Sequence, residues 1–267
     1  MVEIALALGV VAFALVALVG VMPAGLKVQK DNRQDTVVNM DGTYLLDAIR
    51  SGLPTDNLAE AAQVGGLSVD MLTNYIDSIT ISNTFFRGNY TTYSNAPGPT
   101  GLTNGYRILG LLSSPRLTTS GRTLITNVTT AVMRSISGPA IEKGLVTRDI
   151  AFRYLVTSEI VPFSIYPPQE TNFPGGNGFT AFGNLGRNIA NSNNWRTAVN
   201  LATNCYDLRV TLQWPLITRG KTNFVGGGHK TFRALVAGQW LQATNNPLSL
   251  PPVYFLQPYH YGQVTNL

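Results

Sequence analysis

One cysteine, two histidines and 12% charged residues leave this 267-residue chain little material for side-chain chemistry. The single thiol, Cys205, cannot form an intramolecular disulfide, so no covalent staple holds the fold together. Its place before a strand-like run suits a small buried apolar residue better than an intermolecular bridge. His229 and His260 stand in loop-like surroundings, and the chain has neither an HExxH nor a paired-cysteine spacing for a metal. Asp and Glu are missing between Ile79 and Ile141, and they are too sparse afterwards to supply a carboxylate pair. Gly226-Gly227-Gly228-His229-Lys230 lacks the spacing of a phosphate loop and reads as a hairpin turn. Asn172 to Trp195 carries seven Asn and five Gly without an acid, so it reads as a long exposed loop that offers calcium no ligands. These absences assign no catalytic, cofactor-binding or metal-binding residue, and they argue against an enzyme.

Gly, Asn, Thr and Ser fill the space that charge leaves. Neutral polar groups of this kind solvate a surface and still let identical surfaces pack closely. The length allows one sizeable core. Charge is unevenly divided: residues 1–77 sum to −5 and residues 78–267 to +10. The acidic part of one subunit can therefore face the basic part of another. Attraction of a polyanion, DNA or polysaccharide, ranks second, because the arginines are scattered and no nucleic-acid motif accompanies them.

The chain does have a long apolar run. From Ile4 to Leu26 no side chain is charged or strongly polar. As a helix this segment is roughly 35 Å long, enough to cross a bilayer. Glu3 sits at its mouth, where a lone carboxylate is expensive unless something pairs with it. A secretory signal peptide would begin with basic residues and have a shorter core. A plain single-pass anchor, with Lys27, Lys30 and Arg33 after the run, remains the bland alternative.

Val2-Glu3-Ile4-Ala5-Leu6-Ala7-Leu8-Gly9 resembles the processed N-terminus of type IV pilins and pseudopilins. In that family a glutamate is the fifth mature residue, after a methylated and usually aromatic first one. Here it is third, so the resemblance implies a dipeptide ahead of Met1 or a shifted register. Gly9, Gly20 and Pro23 fall where pilin helices carry helix-weakening residues, and the resemblance implies loss of helix from Gly20 to Pro23 in an assembled state. It further implies a homopolymer of identical subunits, a prepilin peptidase and an assembly machine. The precursor would sit in the inner membrane and the product in an extracellular filament at the cell surface. Glu3 would pair with the N-terminal amine of a neighbour. A minor pseudopilin of a type II secretion-like machine and a monomeric membrane-anchored surface binding protein are the alternatives. A later stretch, DLRVTLQWPL and KTFRALVAGQW, is similar to prepilin-like proteins of Verrucomicrobia.

The fold class expected is α+β: a long N-terminal helix packed on a globular head with a C-terminal antiparallel sheet. The expected divisions are 1–52 for the helix (1–26 its membrane or filament-core segment), 53–241 for the head and 242–267 for a Pro- and Tyr-rich tail. Within the helix, Asp41-Gly42 predicts a bend and Ser51-Gly52-Leu53-Pro54 a stop. Helices are expected over Ser68–Ser78 and Thr123–Ile136. Strands are expected over Ile79–Phe86, Tyr106–Leu112, Ile150–Val156, Ile160–Tyr166 and Leu208–Trp214, the last ended by Pro215 and paired with Lys230–Gln239. In the tail, Tyr254, Phe255, Tyr259 and Tyr261 can cover the chain's own head or reach a neighbour. Asn89 and Asn127 match the glycosylation sequon.

Overall fold

A computed structural model describes residues 2–52, 71–83, 90–94, 101–102, 104–120, 123–137, 152–163, 197, 200–219, 222–243, 253–258 and 260–262. The segment Asn172–Trp195, expected as a loop, Asn89 and Tyr259 lie outside these residues. The first element is one helix, α1, from Val2 to Ser51. It runs without interruption through Gly20–Pro23 and through Asp41–Gly42, so neither the unwound segment nor the bend is present in this isolated chain. Gly52 follows at φ 61°, the left-handed position that glycine adopts at no steric cost after a helix.

Among the described residues, strands and short helices follow. They are α2 (Leu72–Tyr75), β1 (Ile76–Asn83), β2 (Tyr90–Ser94), α3 (Gly105–Leu112), β3 (Leu117–Ser120) and β4 (Thr123–Arg134). Next come β5 (Arg153–Pro162), β6 (Cys205–Arg219), β7 (Thr222–Ala237), β8 (Gln239–Ala243) and β9 (Val253–Gln257). The main sheet runs β2-β1-β4-β5-β6-β7 with β3 added to β4, and every pairing is antiparallel. β8 and β9 form a separate pair. The architecture is therefore a long N-terminal apolar helix with an antiparallel sheet, α+β in class.

Several expected elements change type. Tyr106–Leu112 is helical because Asn104 accepts a hydrogen bond from the Tyr106 N–H (2.7 Å), which caps the first turn. Thr123–Ile136 is mostly strand; its Thr, Ile and Val residues lose side-chain freedom in a helix and suit a pleated surface. The helix expected over Ser68–Ser78 is described only at Leu72–Tyr75, and Ile76 already begins β1. The two strands expected around 150–166 are one, β5, alternating buried and half-buried side chains. Pro215 does not end β6. A register shift between Trp214 and Leu216 absorbs it at a cis bond, and the strand continues to Arg219. Gly226–Gly228 is not a turn but part of β7. A Cβ on Gly226 would collide with the Pro215 ring, and one on Gly228 would lie 2.6 Å from the Trp214 indole. His229 accordingly lies in a strand, and Cys205 is only half-buried at the start of β6.

The core lies between the inner sheet face and the second half of α1. Val38, Leu45 and Ile49 meet Ile79, Met133, Tyr154, Val156, Leu208, Val210 and Leu212 in one cluster. The helix runs antiparallel to β6. Gly42 lies against the ring of Phe232, the partner of Val210, while Gly52 lies against the carbonyl of Leu256 beyond the other end of β6. The expected boundary at 241/242 falls inside β8, and the tail returns as β9 to cover α3 and the end of α1.

Candidate assembly site

The resemblance places Glu3, Gly9, Gly20 and Pro23 on the half of α1 that leaves the head. All four are exposed, and a Cβ on Gly9 or Gly20 would meet nothing within 4 Å. The apolar stretch of α1 is nowhere buried against the head. Ile4, Leu8, Phe13, Val16 and Val19 are each more than 60% exposed. Burying one such side chain stabilises by roughly 1.5–3 kcal/mol. Over the whole segment the sum reaches tens of kcal/mol, so this half-helix calls for a bilayer or a bundle around it. Its length and composition suit a transmembrane helix.

Burial on α1 begins at Val37 and recurs at Val38, Asp41, Gly42, Leu45 and Ile49, the spacing of one helical face. Asp41 is the charged member of that face and is 1% exposed. Its Oδ1 accepts from the Ser137 N–H (2.8 Å) and the Ser137 hydroxyl (2.5 Å). Its Oδ2 accepts from the Ile136 N–H (3.0 Å) and the Tyr154 hydroxyl (2.9 Å). Ser137 also contacts the helix backbone at Val37. One carboxylate thus fastens the helix to the end of β4 and to β5, and its four donors satisfy what burial would otherwise leave unpaired. Burial, with the Asp41 charge and hydrogen bond, holds the Tyr154 phenol well above its ordinary 10. Sequence reasoning put a bend here and missed this junction. The partners lie about a hundred residues away, and no local signal names them.

The outer face of the sheet is polar and regular. Thr92, Thr80, Thr130, Thr157, Thr211 and Thr231 are successive cross-strand partners over six strands. The hydroxyls of Thr80 and Thr92 are 3.2 Å apart, and those of Thr211 and Thr231 2.9 Å. Asp77 meets Arg134 (3.1 Å) and Arg153 (2.5 Å), and Glu159 meets Arg116 (2.5 Å). Asp207, with its side chain 6% exposed, meets Arg209 (2.5 Å) and Arg233 (2.6 Å). Burial pushes the Asp207 carboxyl up, but the hydrogen bonds and charges of Arg233 and Arg209 outweigh it and hold it below its ordinary 3.8. These arginines of the basic half are therefore engaged within the head.

The aromatic tail divides. Phe255 is buried, 2.7 Å from where a Cβ on Gly110 would stand, and Tyr254 is half-buried. Tyr261 is 58% exposed. Asn127 lies inside β4, where its side-chain amide donates to the Pro115 carbonyl (3.1 Å). Among the described residues no group of three or more His, Cys, Asp or Glu is placed to hold a metal ion. Comparison of the chain with protein-family models, with curated proteins and with solved structures finds no match.

Proposed function

We propose that this chain is a structural subunit of a type IV pilus-like extracellular filament, assembling through the apolar half of α1. The observation that carries the reading is the division of one 50-residue helix into an exposed apolar half and a half locked to the head. A rigid helix of this kind transmits the position of its buried end to its head, which suits a helical array. The apolar halves would leave the inner membrane and bundle as a filament core, with the heads outside. Glu3 would pair with a neighbour's N-terminal amine, since an unpaired charge in an apolar bundle is costly.

The test is electron microscopy of sheared surface material with protein identification, on the parent chain and on Glu3→Ala. Fibres of the parent and a membrane-retained, unpolymerised Glu3→Ala support the role. Normal fibres from Glu3→Ala remove the role of Glu3, and no fibres from the parent remove the filament. The minor-pseudopilin reading expects low copy number without long fibres.

A further inference from the structure

Among the described residues, β6 and β7 outrun the sheet. Pairing between β5 and β6 stops at Leu155–Gln213, whereas β6 and β7 continue as a two-stranded arm through Leu216–Val225, Ile217–Phe224 and Arg219–Thr222. Trp214 and Leu216 turn one side of the arm inward and are 8% and 5% exposed. Ile217 and Phe224, cross-strand partners, are 50% and 54% exposed, and Val225 is 40% exposed. Among the described residues this face is mainly polar, with Leu235 at 58% its other exposed large apolar side chain, and the pair stands at the far end of the strands from it.

The direction of the arm gives the pair a purpose. Because α1 is antiparallel to β6, and Gly42 stands at the level of Val210 through Phe232, moving up β6 means moving toward the N-terminus of α1. Ile217 is seven residues beyond Val210, about 23 Å at strand rise. The same distance along α1, at 1.5 Å per residue, reaches back from Gly42 to about Lys27. Lys27 is where the apolar run ends, and exposed Lys30 and Arg33 follow on the next turns. Ile217 and Phe224 thus come level with the point where α1 would emerge from hydrocarbon. The sequence between them adds Arg219 and Lys221, without an acid. Apolar and aromatic side chains flanked by cations match the headgroup region of an anionic bilayer.

We propose that the β6–β7 arm is a second membrane contact: Ile217 and Phe224 enter the interface of an anionic bilayer beside α1 while the subunit is membrane-bound. The contact rests on the reading of α1 as a transmembrane helix. A spanning helix alone leaves the head free to tilt and rotate. Helix and arm together fix the head's azimuth and hold its sheet upright on the surface.

The test uses the full chain in nanodiscs of phosphatidylglycerol and phosphatidylethanolamine. With Cys205→Ser as background, single cysteines replace Phe224, Ile217, Leu15, Leu26 or Thr231 in turn and carry a small fluorophore. Brominated lipids quench from the bilayer and iodide quenches from water. The expected result is bromolipid quenching at Phe224→Cys and Ile217→Cys comparable to that at Leu26→Cys, with Thr231→Cys quenched by iodide alone. Iodide-only quenching at both arm sites, with Leu15→Cys quenched by bromolipid, overturns the arm contact and leaves the helix reading standing. Shielding from both quenchers that grows with copies per disc identifies a second copy as the occupant and also overturns it. A Leu15→Cys label untouched by bromolipid overturns helix and arm together.

Discussion

Replacing Asp41 by alanine should loosen the junction between α1 and the head more than any other single change there. The carboxylate, 1% exposed, accepts from two backbone N–H groups and two hydroxyls. Alanine leaves the half-buried Ile136 and Ser137 N–H groups and the buried Tyr154 phenol without this acceptor. Each stranded donor costs roughly 1–3 kcal/mol, with partial relief where a water can enter, so a loss of about 4 kcal/mol is expected. Asp41→Asn is milder. Its remaining oxygen keeps the Ser137 donors, and Tyr154 can rotate to accept, but the amide faces the Ile136 N–H donor to donor. About 2 kcal/mol is expected for that single mismatch. Tyr154→Phe should lose about 1 kcal/mol, and in a double-mutant cycle with Asp41→Ala the two losses should not add. The assay is urea unfolding of the full chain in detergent, followed by the fluorescence of its three tryptophans. Losses under about 0.5 kcal/mol for Asp41→Ala, the size of an ordinary surface substitution, would refute the argument.

Three further outcomes follow from the same packing. The phenols of Tyr93 and Tyr206 are pushed up to about 12 by burial, and that of Tyr154 well above 10, so the folded state holds protons that the unfolded state releases. Their contribution is complete below pH 10 and is lost as pH rises beyond it; Tyr154→Phe should flatten that fall in an alkaline unfolding series. Asp207 has the opposite sign: its contribution is present above the ordinary carboxylate pKa of 3.8 and disappears as pH falls through the lower folded value, so Asp207→Asn should weaken the acid dependence in pH-jump unfolding. Gly42→Ala drives a Cβ into the Phe232 ring. The overpacking, about 1–3 kcal/mol, should exceed the gain of about 1 kcal/mol in helix propensity, and Phe232→Leu in the same chain should restore the loss. An equal loss of melting temperature on Gly42→Ala in both backgrounds would show that the ring does not set that cost.

The helix was legible because its signal is local. An apolar run followed by fifteen residues without Gly or Pro favours a continuous helix, and Gly52 marks the end. β6 was legible for the same reason, since Leu208, Val210, Leu212 and Trp214 alternate strictly. Asp41-Gly42 misled because two residues that break helices in isolation are explained only by distant partners, Tyr154 and Phe232. Tyr106–Leu112 shows the ambiguity of a short apolar run, which suits strand and helix alike; the cap at Asn104 was the signal that separates them. In Thr123–Arg134 the β-branched residues outweighed an apparent helical spacing. Gly226–Gly228 carries the composition of a turn, yet its missing side chains make room for Trp214 and Pro215. The threonine rank and the overhanging arm were beyond a sequence reading. Both are properties of register, which exists only once six strands have paired.

The closing of the head by β9 imposes a chronology on the chain's birth. Gly52 is held against the carbonyl of Leu256, and Gly110 against Val253 and Phe255. About 200 residues separate Gly52 from Leu256, which at ribosomal speed is roughly ten to forty seconds of synthesis. Throughout that interval α1 is complete while the surface that seats it lacks its last wall. A nascent chain therefore commits its helix before its head can shut. A cell making this protein must shelter an open head until the final strand arrives.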